Sequence, residues 1–148
     1  MKICISLSAG LFLVLFSMSC LAATVTVETH TANIRNLPPS RPGSFTVLEV
    51  PKYYPLSVQK SEGNYCKVSD FRSHEGWIKK SLVGPAPGVV VKVNSANVRK
   101  GPGEDYPIVF RALEGVAFKV LGEKGDWVEV QHESGKKGWI FKSLTWGG

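Results

Sequence analysis

The chain has 148 residues, of which 43% are hydrophobic, 10% aromatic and 20% charged, with 15 Gly and 9 Pro. That balance belongs to a small globular protein and excludes a disordered or collagen-like chain. A formal charge of +6 gives mild attraction to anionic surfaces and sets no specificity.

The first segment reads as a secretion signal: Lys2 supplies the positive end, an apolar stretch follows from Ile3 to Met18, and small residues surround Leu21-Ala22-Ala23. The stretch is too short and too broken by Ser and Gly for a membrane span. Residues 1–23 are expected to be removed, which takes away Lys2 and lowers the charge to +5. The protein is then exported, periplasmic or secreted. Cys20 opens an alternative, a lipidated cysteine anchoring a lipoprotein to the membrane; Ser19 before it fits such a signal and Ser17 departs from it. Apart from Cys4 and Cys20 in that segment, the chain holds only Cys66, so folding relies on an apolar core and not on an intrachain disulfide.

The remainder contains two copies of one unit. Ala32-Asn33-Ile34-Arg35 matches Ala96-Asn97-Val98-Arg99 at an offset of 64, and Val25 and Val27 fall on Val89 and Val91. From Val47, which meets Val109, the offset becomes 62. There Val58 meets Val120, Tyr65 meets Trp127 and Val68 meets Val130, while Gly76-Trp77-Ile78 meets Gly138-Trp139-Ile140. The first copy therefore holds two extra residues between Arg35 and Val47, in a loop. The copies span 24–83 and 89–148, and Gly84-Pro85-Ala86-Pro87-Gly88 reads as a short linker. A unit of about sixty residues buries only about 60% of its unfolded surface, which favours packing of the two copies on each other.

In the second copy Val89, Val90, Val91 and Val93 open a strand. Ala96 and Val98, alternating with Asn97 and Arg99, predict a second strand with one buried face. Gly101-Pro102-Gly103-Glu104-Asp105-Tyr106-Pro107 is a loop. Residues 117–121 and 127–130 predict a hairpin through 122–126, Gly138 closes the next turn, and 139–141 extend beyond it. Neither copy has helical periodicity. About five short strands per copy predict an all-β chain of two small barrels, whose closure removes exposed strand edges.

The series Ala96-Asn97-Val98-Arg99, Gly101-Pro102-Gly103, Tyr106-Pro107, Gly125-Asp126-Trp127, Val130 and Gly138-Trp139-Ile140 resembles the bacterial Src-homology-3 (SH3b) domain. The first copy keeps Ala32 to Arg35, Gly63, Val68 and Gly76-Trp77-Ile78, but has Leu37-Pro38-Pro39 for Gly-Pro-Gly and Tyr65 for Trp. The resemblance covers both copies. It implies two five-stranded SH3-like barrels in tandem that bind rather than catalyse, frequently exported and joined to cell-wall enzymes, with peptidoglycan or a protein as ligand.

Residue chemistry agrees with binding. Cys66 aligns with Val128 and shares strand parity with Val68, so it reads as a buried small hydrophobe and not as a nucleophile. His30, His74 and His132 lack metal-ligand spacing, and no cofactor is expected. Aromatic faces beside Arg and Asn suit carbohydrate or peptide ligands. The candidates are Asn33, Arg35, Tyr53, Tyr54, Tyr65 and Trp77 in the first copy, and Asn97, Arg99, Tyr106, Trp127, Trp139 and Phe141 in the second. Parity sets Trp127 with Glu129 and opposite Val128 and Val130, on the less buried face. The competing readings are structural. Trp139 is equally suited to the core, Asn33 and Asn97 to bonding their own loops, and Arg35 and Arg99 to pairing with loop acids such as Glu104. Charges of +3 and +2 in the two copies form no stripe, which disfavours nucleic acid. The expectation is a non-catalytic exported protein that binds peptidoglycan or another cell-envelope polymer. The alternative is an adaptor that docks on, or activates, a separately encoded cell-wall enzyme.

Overall fold

Runs of alternating apolar and polar residues, broken by Gly, Pro and Asn, fold each copy into one antiparallel sheet of short strands. The structure, a computed structural model, describes residues 23–148. The proposed secretion signal apart from Ala23, Cys20 included, lies outside the described residues. The first copy comprises β1 (Thr24–Val27), β2 (Thr31–Arg35), β3 (Thr46–Pro51), β4 (Pro55–Glu62), β5 (Tyr65–Ser69), β6 (Glu75–Lys79) and β7 (Val83–Gly84), in the order β3-β2-β6-β5-β4-β1-β7. The second repeats it with β8 (Gly88–Val91), β9 (Ser95–Arg99), β10 (Ile108–Leu113), β11 (Ala117–Lys124), β12 (Trp127–Gln131), β13 (Lys137–Phe141) and β14 (Thr145–Gly147), ordered β10-β9-β13-β12-β11-β8-β14. A single 3-10 turn precedes the last strand of each, at Lys80–Leu82 and Lys142–Leu144.

The all-β tandem of SH3-like units is as expected, with seven strands per copy where about five were anticipated. The additions are terminal strands. β3 and β10 pair on one side only and bury a single residue each, Val50 and Ala112, so they carry no alternation to detect. β7 and β14 are two and three residues long. β11 also runs on to Lys124, past a register shift between Val120 and Gly122 that turns Leu121 outward.

Inward residues fill two cores. Ile34, Leu56, Val68 and Ile78 centre the first; Val98, Phe118, Val128 and Ile140 centre the second. Cys66 is buried beside Val68, as its parity predicted. The copies are not independent beads. β8 is buried along its whole length, because Val89 and Val91 face the second core while Val90 joins the first. Ala117 also belongs to the first core, and Trp146 packs against it. Gly88 is pressed against the Tyr53 carbonyl and Thr26, where a side chain would collide. At the rim Arg72 reaches Glu114 with Nε at 3.3 Å and a terminal nitrogen at 2.8 Å, and His30 Nδ1 meets Glu133 at 2.7 Å. Of the linker, only Pro85, Ala86 and Pro87 lie outside strands.

Candidate functional site

The outer face of the second barrel gathers four of the predicted residues. β12 alternates half-buried and buried positions, which turns Trp127 outward and Val128 and Val130 inward. Register sets Trp127 opposite Phe141 on β13, and their rings meet edge to face with centroids 5.5 Å apart. Arg99 and Asn97 come from β9 beside them. Together with Ser95, Glu104 and Leu144 these side chains line a hollow of about 270 Å³.

Arg99 shapes one wall. Its guanidinium donates to the carbonyl oxygens of Glu104 and Tyr106, both at 3.0 Å, and so holds the loop between β9 and β10 in place. The expected ion pair with the Glu104 carboxylate is replaced by this main-chain contact. Asn97 bonds no loop backbone; its Oδ1 accepts from Arg111 Nε at 3.2 Å. The hollow thus offers an aromatic corner, a fixed cation and a carboxylate within a concave, half-exposed surface.

The other candidates stand elsewhere. Tyr106 is exposed, with its ring over Gly101 and Gly103, and does not line the hollow. Trp139 is half-buried and lies opposite Arg99 and Glu129 in its ladders, outside the lining. In the first copy Lys79 occupies the position of Phe141, opposite Tyr65, so no aromatic corner forms. Arg35 is consumed by its loop, donating to Ser44 Oγ at 2.7 Å and Ser44 O at 2.9 Å. Asn33 is exposed on β2. Tyr53 sits in a turn with φ of 68°, where the second copy has Gly115, and Lys52 lies over its ring.

Two candidates need correction. Tyr54 is 4% exposed, its hydroxyl donating to Asp70 Oδ2 at 3.1 Å, and it presents no face to a ligand. Burial, then the neighbouring Asp70 charge, pushes its pKa well above the usual tyrosine value. Trp77 is 5% exposed, with Lys60 Nζ 5.3 Å from its ring centroid, and presents no open face to a ligand. Sequence reasoning missed Ser95, Glu104 and Leu144 as lining groups. Ser95 was legible as the outward partner of Asn97 by strand parity, whereas Leu144 enters through the 3-10 turn.

No group of three or more His, Cys, Asp or Glu residues suited to a metal occurs among the described residues. No helix among them is long and apolar enough to cross a membrane.

The two sheets and their repeated register define a protein built of two SH3-like barrels. Residues 94–145 match a bacterial SH3 domain family, and residues 28–85 match a second family of the same description. The chain therefore belongs to the bacterial SH3 domain proteins and carries two such domains in tandem. Over 65 residues it is 43% identical to YrvJ of Bacillus subtilis, whose name describes an N-acetylmuramoyl-L-alanine amidase; the match covers 43% of this chain and 12% of that protein. LytH of Staphylococcus epidermidis, whose name describes a cell wall amidase, is 37% identical over 54 residues, 36% of this chain and 19% of LytH. The chain thus spans less than a fifth of either relative. Among solved structures, an NlpC/P60 family protein of Bacillus cereus aligns with 84% of this chain and 56% of its own, at 14% identity and a TM-score of 0.39.

Proposed function

We propose that this is an exported, non-catalytic protein whose tandem SH3b domains bind peptidoglycan or another cell-envelope polymer, with the hollow on the second barrel as the contact. The observation that carries the reading is the Trp127–Phe141 corner beside Arg99 and Asn97. A sugar or short peptide places an apolar face on such a corner and its hydroxyl or amide groups on the polar side chains. The amidase names of YrvJ and LytH support a role at the cell wall, and the burial of Cys66 supports the absence of a thiol nucleophile.

The test is retention of residues 23–148 by insoluble peptidoglycan at low and moderate salt. Retention is expected to survive moderate salt, and Trp127→Ala is expected to weaken it about tenfold, the loss of one stacking contact. Retention that disappears with salt would reduce the interaction to net charge. No retention at either salt would favour the adaptor reading, in which the barrels dock on a separately encoded envelope protein.

A further inference from the structure

The second barrel holds a cleft that the first barrel fills with its own side chain. Phe110, Ala112, Val116, Phe118, His132 and Lys136 line it, and its volume is about 340 Å³. At the repeat offset of 62, Val116 stands where the first copy has Tyr54, and His132 where it has Asp70. In the first copy the Tyr54 ring is buried in the core, 6.3 Å from the Phe71 ring centroid, and its hydroxyl ends on Asp70. Three exchanges open this place in the second copy, and Phe118 for Leu56, fully buried, and Phe110 for Leu48 refill part of it. Val116 withdraws the ring, Ala112 replaces the larger Val50, and Glu133 replaces Phe71 and turns to His30 instead.

What remains is a slot for a ring. Phe118 is flanked by Phe110 at 6.1 Å and by His132 at 5.9 Å between centroids. Lys136 brings positive charge, its Nζ lying 5.9 Å from the Phe110 centroid, and the lining contains no carboxylate, while Arg111 turns its guanidinium to Asn97 on the opposite face of β10. Two of the lining side chains and Arg111 belong to β10, the terminal strand of its sheet, whose outer main-chain groups have no ladder partner. Ile108, Val109 and Leu113 of the same strand are exposed, Leu113 by 65%. An unpaired edge bordered by apolar side chains accepts another polypeptide by strand addition.

We propose that this cleft receives an aromatic side chain of a partner polypeptide whose adjacent carboxylate meets Lys136, with the partner backbone along β10. The cleft shares no residue with the hollow beside Trp127, and the proposal stands whether or not that hollow holds wall polymer.

Residues 23–148, labelled with nitrogen-15, would be titrated with millimolar N-acetyl-L-phenylalanine, its neutral carboxamide and N-acetyl-L-alanine. The phenylalanine acid is expected to shift the amide signals of Val116 and His132, the carboxamide to bind about threefold more weakly for want of the charge, and the alanine derivative to leave the spectrum unchanged. Val116→Tyr, which installs the side chain used by the first copy, should abolish the response, and Trp127→Ala should preserve it. Lys136 is exposed, so Lys136→Glu decides the matter should Val116→Tyr lose its dispersed spectrum; it should bind the acid no better than the carboxamide. No response to the acid, equal binding of the alanine derivative, or a response unchanged by Val116→Tyr and Lys136→Glu would overturn the proposal. So would self-association in sedimentation that Val116→Tyr removes, since the occupant would then be a second copy.

Discussion

Asp70 shows how one buried carboxylate organises a turn. It is 5% exposed and accepts from the Tyr54 hydroxyl at 3.1 Å, from Arg72 N at 3.0 Å and from His74 N at 2.8 Å, while His74 Nδ1 lies 2.9 Å from it. These contacts tie β5 to the turn before β6 and hold Tyr54 in the core. Tyr54→Phe removes one of them and leaves Asp70 its other partners, so it should cost about 1 kcal/mol at neutral pH. The tyrosine also couples stability to alkaline pH. An unfolded tyrosine releases its proton near pH 10 or so, about its ordinary value, whereas burial and the Asp70 charge make the folded chain retain it. Above that pH the folded state binds more protons than the unfolded state, so stability falls as pH rises; below it the contribution is whole. Urea midpoints should therefore decline from about pH 10 upward. The decline should be shallower in Tyr54→Phe, and an unchanged slope in that variant would remove Tyr54 as its source.

At the level of elements, the barrels depend on close strand approach. A Cβ at Gly138 would lie 2.5 Å from Val98 Cγ1 and 2.8 Å from Arg99 O, and one at Gly76 would lie 2.5 Å from Ile34 Cγ2 and 2.7 Å from Arg35 O. The oxygen in each case is main chain and cannot swing aside. Gly138→Ala should thus push β13 from β9, lower stability by about 2–3 kcal/mol, and reduce peptidoglycan retention with it because Arg99 moves; urea denaturation and the retention assay check the two effects. Gly138 reads in the sequence as a turn residue, yet it lies inside β13 without a left-handed φ. Its requirement comes from the facing strand, which spacing along the chain does not display. Trp127 and Cys66 were legible because parity is local to one strand. Tyr54 and Trp77 were not, since the groups that meet them, Asp70 in the turn after β5 and Lys60 on β4, come from other parts of the fold. The cleft behind Val116 was written in the positions where the repeats disagree, and the repeat reading weighed mainly those where they agree.

For the whole molecule the decisive feature is a strand shared between two cores. Val90 faces the first core while Val89 and Val91 face the second, and Ala117 and Trp146 add to the first from the second barrel. Each copy of about sixty residues is marginal by itself, so apolar surface buried between them raises the stability of both. The rim pair of Arg72 and Glu114 is partly exposed and contributes little beside this; Glu114→Ala should cost below about 1 kcal/mol. Trp146 is half-buried on the first core, and Trp146→Ala should cost about 2 kcal/mol, less than a fully buried tryptophan. Because Trp146 belongs to the second barrel and rests on the first, that loss should appear in one transition. Calorimetry of residues 23–148 should then give a single peak with equal calorimetric and van't Hoff enthalpies, and Trp146→Ala should move the whole peak to lower temperature. Two resolved peaks in the unsubstituted chain would mean that the barrels fold as separate units and that the shared strand does not couple them.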